Sequence, residues 1–527
     1  MKKIHLLVPM SGQGTRFQAA GYKDPKPLIS VNGRPMIERL MKNFPLDWDV
    51  TFVLANNHKH TGLVEKLQEI RPQARILFID PHSKGPSIAI EKGLEQLSED
   101  TPILVSYCDY AMVWDSTRFE EFVESSDCDA CLISYRGFHA HYLNPQTYAY
   151  SRLSGDRVVE VKEKGSFTSD REQEFASCGA YYFKSAKLLK NSLKFQYEQN
   201  LSLNREFYTS LTVQALLLSQ PSSDVRVFEI PAFFQWGTPQ DLANFEYWER
   251  STKAYTRFSV RRGKVSQVLM PMAGLGSRFQ SITNTIKPLI PVAGKPMFQA
   301  ALHSLPEAER TVLVGLDFFK PDLEKLNLPR VSVVSLAETP SGQALSTEAG
   351  IKALNLDEEV IVSACDHGIV LSDHVWNDFK LNPDSDAAIF TIKGFIGADR
   401  SPNAYAYVVP EQLETAFPLV KRVSVKQPVS SQPSADHVLV GTFWFKSGAI
   451  LASGIEKLKT LDHRVNGELY LDSIFELLIN SGHKVRMIPL EGYICWGDPS
   501  SLSEALYWQE VFSGMQIGVR SKFPGVV

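Results

Sequence analysis

Residues 8–17 read VPMSGQGTRF and residues 270–279 read MPMAGLGSRF. Each stretch sets two glycines, Gly12 and Gly14 or Gly274 and Gly276, just after an apolar run that reaches Met10 or Met272. Two missing Cβ atoms at a turn let a phosphate or a planar base approach backbone N–H groups closely. An arginine follows at once, Arg16 or Arg278, and a lysine before proline comes ten or nine residues later, Lys26 or Lys287. A guanidinium binds phosphate oxygens bidentately and an ammonium acts as a compact charge, so this pair suits a triphosphate. Either residue alone reads as a solvated loop charge; recurrence of both in both stretches argues against that. Two aspartates recur in the same way, Asp109 and Asp366, each closing an apolar run at Cys-Asp. A carboxylate at the carboxyl end of a buried strand stands where an open α/β sheet binds ligands. An N-cap or Asx turn is the common alternative use of such a residue.

Two familiar glycine motifs do not fit. A dinucleotide loop needs a third glycine three residues on and a carboxylate closing the second strand. Phe17 and Phe279 stand at the glycine position, and the run Val50 to Ala55 ends in Asn56-Asn57. A P-loop needs Gly-Lys-Ser/Thr, which does not follow either loop.

The loops belong to a larger repeat. KPLISVNGRPMI (26–37) matches KPLIPVAGKPMF (287–298), VSYCDYAMVW (105–114) matches VSACDHGIVL (362–371), and GAYYFKS (179–185) matches GTFWFKS (441–447). NREFY (204–208) matches NGELY (466–470) and WGTPQDL (236–242) matches WGDPSSL (496–502), at an offset that stays between 257 and 262. Solenoid repeats run about 20–50 residues, so each copy is a complete domain. We expect domain 1 over residues 1–252, a basic, polar linker over 253–264 and domain 2 over 265–527.

Within a copy, short apolar runs at Ile4 to Pro9, Val50 to Ala55, Arg75 to Ile79 and Ile103 to Tyr107 suit strands buried on both faces. Pro35 to Asn43, Gly62 to Ile70 and Ser87 to Leu97 carry apolar residues at helical spacing. Alternating strands and helices imply an α/β fold, Rossmann-like and duplicated, with a mostly parallel mixed sheet, helices on both faces and ligands at the strand carboxyl ends.

Composition bounds the partners. The chain has 527 residues, 22% of them charged, and a formal net charge of −4, which offers no polyanion-binding surface for nucleic acid. No apolar stretch approaches the roughly 18 residues that span a bilayer, and Met1 to Met10 reads as a first strand, not a leader. Six scattered cysteines include a C-x-x-C at Cys128 and Cys131 without a second pair or a histidine at zinc spacing. Buried free thiols in a reducing cytoplasm are the reading.

G-x-G-x-R-F followed by K-P-L-I-x-V-x-G-x-P-M resembles the signature of sugar-phosphate nucleotidyltransferases, the nucleoside-diphosphate-sugar pyrophosphorylases. The likeness is to the short, capsule-associated members with GFH, YAY, EKG, NGEFY and WGTPEDL segments, and it runs through both halves. It implies attack of a sugar 1-phosphate, or a similar phosphomonoester, on the α-phosphorus of an NTP, with release of pyrophosphate and Mg²⁺ as cofactor, for surface polysaccharide precursors. It places base, ribose and triphosphate on Met10, Gly12, Gly14 and Arg16, with Lys26 on the phosphates. Gly85, Gly342 and Gln343 lie beside the base, and Asp109 and Asp366 hold the metal. On the acceptor side it points to Glu163 and Lys164, with Lys164 on the sugar phosphate, and to Gly179, Asn204 and Glu206. The second copy retains Met272, Gly274, Gly276, Arg278, Lys287, Lys426, Gly441, Asn466 and Glu468. A homo-oligomer is compatible with this reading.

Three departures stand out. Gln235 and Cys495 occupy the place near which longer members carry a second metal aspartate, Ser11 and Ala273 replace the first loop glycine, and Val425 replaces Glu163. His139 and His141 in GFHAH have no counterpart in the second copy; they could reach a substrate phosphate or serve as turn and core residues. Two other classes compete. A nucleotide-sugar-dependent glycosyltransferase predicts D-x-D, but Asp109-Tyr110-Ala111 and Asp366-His367-Gly368 lack the second aspartate. The other is a nucleotide-binding protein with one degenerate copy.

Overall fold

The computed structural model describes residues 2–144, 148–258, 263–381, 384–412 and 415–517. The chain forms two compact units, one built on Met1–Glu246 and the other on Tyr247–Phe512. The helix Pro239–Phe258 runs through the start of the expected linker, while residues 259–262 and 518–527 lie outside the described residues.

In the first unit, His5–Met10 pairs in parallel with Asp49–Ala55 on one side and Ile103–Ser106 on the other, and Asp49–Ala55 pairs in parallel with Arg75–Ile79. Phe175–Phe183 then runs antiparallel between Ile103–Ser106 and Ala130–Tyr135, and Val225–Glu229 closes that edge in parallel. The expected parallel sheet is present, with one antiparallel strand set into its middle. Leu6, Val8 and Met10 join one apolar core and Leu7, Val53 and Val105 the other, so the central strands are buried on both faces. Arg75–Ile79, at the edge, is only half-buried. The helices are shorter than the periodicity predicts: Met36–Met41, Leu63–Ile70 and Ser87–Leu94.

The second unit repeats this order as Val331–Leu336, Glu307–Leu316, Lys264–Pro271, Val360–Ser363, His437–Phe445, Ala387–Ile392 and Val485–Pro489. In each unit the chain leaves the first strand toward one edge and later returns to its other side. The carboxyl ends of the first strand and of Ile103–Ser106 or Val360–Ser363 therefore flank the switch point at which such sheets bind ligands.

Candidate active site

At that switch point the glycine loop opens a short helix. Gly14 and Gly276 hold φ 64° and 62° as the caps of Thr15–Ala19 and Ser277–Phe279, a left-handed conformation that favours glycine. Phe17 and Phe279 bury their rings in the core, whereas Arg16 and Arg278 are exposed. This is why a phenylalanine stands where a dinucleotide loop has glycine: it anchors the loop and leaves the arginine at its mouth.

Lys26 Nζ donates to Asp109 Oδ2 at 2.5 Å and lies 5.7 Å from the centre of the Phe17 ring. Lys287 repeats both contacts, 2.6 Å to Asp366 Oδ2 and 5.6 Å from the Phe279 ring, and also donates to Gly497 O at 3.2 Å. Burial pushes the Asp109 carboxyl up, but the Lys26 charge and hydrogen bond, with Arg16, outweigh it and hold the group below its usual range. Asp366 is likewise held well below, with burial opposed by Lys287 and His367. The pair is a preformed, partly dehydrated charge cluster. The neighbouring Cys108 and Cys365 thiols are pushed up to about 12, first by burial and then by the aspartate, so neither is a nucleophile at neutral pH.

Each aspartate faces a cradle. Trp236 N donates to Asp109 O and Trp496 N to Asp366 O, both at 2.8 Å, which seats Gly237 and Gly497 opposite the carboxylates. A Cβ at these glycines would come within 3.2 Å of Asp109 Oδ2 and 3.5 Å of Asp366 Oδ2. The space fits a Mg²⁺ held by one carboxylate and substrate phosphates, the usual protein contribution for this ion. Among the described residues there is no group of three or more His, Cys, Asp or Glu side chains able to hold a metal alone. Gln235, where a second metal carboxylate was sought, instead donates to Asp241, which also accepts from Thr238 Oγ1 at 2.5 Å.

A cleft of 390 Å³ in the first unit is lined by Met10, Gly12, Gly14, Arg16, Lys26, Gly85, Asp109 and Glu206. Tyr107, Tyr208 and His82 also line it. Gly85 has a further task. At φ 90° its Cβ would meet Phe207 N and O at 2.6 Å, and Gly342 at φ 122° stands equally close to Leu469. Phe207 N donates to Lys84 O and Ser87 N to Phe207 O, so these glycines clasp the NREFY and NGELY segments backbone to backbone. Gln343 is the first residue of the helix Gln343–Ile351.

On the side where the acceptor is expected, Lys164, at φ 52°, donates to Tyr208 OH at 2.6 Å, and that hydroxyl donates to Glu206 Oε2 at 2.5 Å. Glu163 accepts from Ser210 Oγ at 2.5 Å, and burial keeps its carboxyl raised. Gly179 sits in the irregular stretch of Phe175–Phe183 beside the Tyr107 ring. Gly441 occupies the matching place in His437–Phe445. Asn204 and Asn466 are exposed at φ 53° and 51°, each opening a two-residue turn closed by Leu203–Glu206 or Val465–Glu468 bridges. Both positions are those of turn formers, and Asn204 is not among the residues lining the cleft of the first unit. His139 and His141 are buried, His141 against Tyr135 OH at 2.8 Å, and burial lowers both, His139 to about 4. Neutral and enclosed, they are core residues and not phosphate ligands.

Sequence reading passed over Tyr208 and Ser210, although Tyr208 recurs as Tyr470 in the quoted repeat. It also passed over Asp472, the counterpart of Ser210, which a residue-by-residue overlay exposes.

The MobA-like NTP transferase domain model matches residues 6–167 and again 269–413. The bifunctional protein GlmU of Bacillus cereus strain AH187 is 23% identical over 222 residues, 42% of this chain and 46% of GlmU, so the chain spans about half the length of the curated relatives it matches. A Sulfolobus acidocaldarius protein described as a candidate mannose-1-phosphate guanyltransferase is 23% identical over 50% of this chain and 68% of its own. Among solved structures, the nucleoside-diphosphate-sugar pyrophosphorylase of Vibrio cholerae RC9 aligns at 19% identity and TM-score 0.37, over 46% of this chain and 99% of that one. The inositol-1-phosphate CTP transferase of T. maritima aligns at 16% and 0.38, over 49% and 99%. With the model matched once in each half, the chain belongs to the MobA-like NTP transferase domain family and carries that domain twice.

Proposed function

We propose that the protein transfers a nucleoside monophosphate from an NTP to a sugar 1-phosphate or a similar phosphomonoester. The observation that carries this is the Lys–Asp pair facing an open cradle between a glycine loop and a second cationic wall, built twice. An acceptor phosphate oxygen attacks the α-phosphorus, the bond to the bridging oxygen breaks, and pyrophosphate leaves. Little covalent work falls to the protein, so positioning and charge neutralisation carry the rate. The backbone of Gly12 to Gly14 and the Arg16 guanidinium receive the triphosphate. Lys26, already held at the site by Asp109, meets the charge that develops on the leaving group. Lys164, steadied by Tyr208 and Glu206, orients the acceptor phosphate. Asp109 or Asp366 would hold a Mg²⁺ ion, which would neutralise phosphate charge.

No described helix is long and apolar enough to cross a membrane. The six free, buried cysteines support a reducing compartment. Supply of activated sugars for surface polysaccharide, in the cytoplasm, is the role this reading gives the protein. A glycosyltransferase would leave the Lys–Asp pairs and exposed arginines without work.

The test is direct. Protein, Mg²⁺, each NTP and a panel of sugar 1-phosphates should release pyrophosphate. Asp109→Asn or Asp366→Asn should lower turnover by about 10²–10³ in the unit it belongs to. Pyrophosphate release from no combination, or full activity with both aspartates replaced, would sink the reading.

A further inference from the structure

The two acceptor walls carry the same charges in different places. In the first unit the half-buried carboxylate is Glu163, just past the strand Arg157–Lys162, and the residue facing it is Ser210. At the offset of 262 that aligns NREFY with NGELY, these positions become Val425 and Asp472. The strand-end carboxylate is gone, and a carboxylate stands on the opposite side, where the serine hydroxyl was. Decay of an idle site explains loss of Glu163; it gives no reason for an acid to enter across from the vacated position.

A second exchange has the same character. Thr238 and Asp241 of the first unit become Asp498 and Ser501, and Ser501 Oγ donates to Asp498 Oδ2 at 2.7 Å as Thr238 Oγ1 donates to Asp241. Hydroxyl and carboxylate trade places and the bond survives. This second exchange preserves a bond at the start of a helix; the first preserves a carboxylate on the wall that carries Lys164 or Lys426, as a site kept in use would.

Asp472 is set for a ligand. It is half-buried, and its Oδ1 is covered without a hydrogen-bond partner. Burial, offset in part by Lys426 and by the Asp472 and Ser473 backbone N–H groups, holds its carboxyl at about 6. The Lys426 ammonium lies 5.2 Å from the centre of the Tyr470 ring, two residues before Asp472, and the charges of Asp472, Arg278 and Glu468 act on it. The Lys426 ammonium donates to Ala404 O at 2.5 Å, whereas Lys164 is held by the Tyr208–Glu206 relay. Cations suit a phosphate, and an under-bonded carboxylate beside them suits the hydroxyls of the same ligand.

Resting on the nucleotidyl-transfer reading, we infer that the second unit is a separate transfer centre in which Asp472 binds hydroxyl groups of a polyhydroxylated phosphomonoester and selects a different acceptor from the first unit. The full-length chain with Asp109→Asn isolates the second unit, and Asp366→Asn isolates the first. Pyrophosphate release is followed with glucose 1-phosphate, myo-inositol 1-phosphate and phosphocholine, which has no hydroxyl. The Asp109→Asn chain should turn over a hydroxylated acceptor and rank the panel differently from the Asp366→Asn chain. Adding Asp472→Ala should raise the acceptor KM about tenfold or more, with the NTP KM within about twofold. Val425→Glu with Asp472→Ser rebuilds the first wall and should move the ranking toward that of the first unit, which keeps the test open if Asp472→Ala folds poorly. The inference is overturned if the wild type turns over while Asp109→Asn abolishes all activity. An unchanged acceptor KM in Asp472→Ala, identical rankings in the two isolated units, or preference of the second unit for phosphocholine would overturn it as well. No pyrophosphate from the wild type with any acceptor fails the nucleotidyl-transfer reading itself, and this inference with it.

Discussion

The two units agree at the loop end of the site and differ at the acceptor end. The loop glycines hold φ 64° and 62°, the Lys–Asp distances are 2.5 and 2.6 Å, and Gly85 and Gly342 press against the same backbone at 2.6 and 2.5 Å. Across the cleft, Glu163–Ser210 gives way to Val425 and Asp472, and the Lys164–Tyr208 bond gives way to Lys426 on a backbone carbonyl. A triphosphate presents the same charge and geometry whatever the base, so its cradle has little freedom to drift. An acceptor is recognised through its hydroxyl pattern, and a carboxylate can serve from either side.

The strongest way to break this comparison is at the shared end. Lys26→Met and Lys287→Met each leave a partly buried aspartate without its counter-ion and remove the charge proposed to meet the leaving group. Each should lower pyrophosphate release in its own unit by about 10²–10³, measured with the other unit silenced at its aspartate. A large loss in the first unit and none in the second would mean that the second Lys–Asp pair is structural.

The acidic limb of stability should separate the units next. Burial lowers His5 and His139 to about 4 and His141 further. The unfolded chain binds these protons near pH 6.5, before the folded one does. Their contribution is therefore complete above pH 6.5 and is lost as pH falls toward 4, on the order of 2–3 kcal/mol per histidine. Among the described residues of the second unit only His437 behaves similarly; Asp472 has the opposite sign, as do Glu163 and Asp241 in the first, so the larger number of buried histidines decides the difference. The raised carboxyl of Asp472 favours folding below about pH 4 and loses that contribution as pH rises through 6. Hydrogen exchange read separately over each unit at pH 7 and pH 5 should show the first loosening more. Equal loosening would mean that the buried histidines of the first unit are reached by water.

What the sequence carried openly was local or repeated. Apolar runs gave the strands around the switch point, and Cys-Asp at two strand ends gave the aspartates, because each signal lies within a few residues. Lys26 was visible as a cation, but its bond to Asp109 spans 83 residues and needs the fold. Separation in sequence also hid Asp472: nothing near Lys426 announces that a carboxylate on a later segment acts on it. For a related reason the sequence leaves His139 and His141 open between a phosphate contact and turn or core residues, since burial against Tyr135 is set by the sheet and not by their spacing.

A smaller effect tests the symmetry of the glycine clasps. Gly85→Ala or Gly342→Ala places a Cβ into the backbone of Phe207 or Leu469 at a positive φ. Each should destabilise its unit by about 2–4 kcal/mol in urea unfolding and raise the acceptor KM, because the clasped segment carries Glu206 or Glu468. An alanine tolerated in one unit only would show that the clasp is closed in one and open in the other.

The finest test concerns the exchanged cap. Asp241→Ser alone removes the acceptor of Gln235, Thr238 and Asn144 and should cost about 1–3 kcal/mol. Thr238→Asp alone adds a second acid beside a buried carboxylate that burial already raises. The double change Thr238→Asp/Asp241→Ser recreates the Asp498–Ser501 pair, in which Ser501 N and Oγ both donate to Asp498. Its cost should fall at least about 1 kcal/mol short of the sum of the singles, the coupling expected of residues that share a bond. Gln235 still loses its acceptor in the double variant, and the second unit has Cys495 at that position. Adding Gln235→Cys should therefore recover part of the remaining cost. Additive singles would instead mean that the surroundings of the two pairs, and not the pairs themselves, set the placement of hydroxyl and carboxylate.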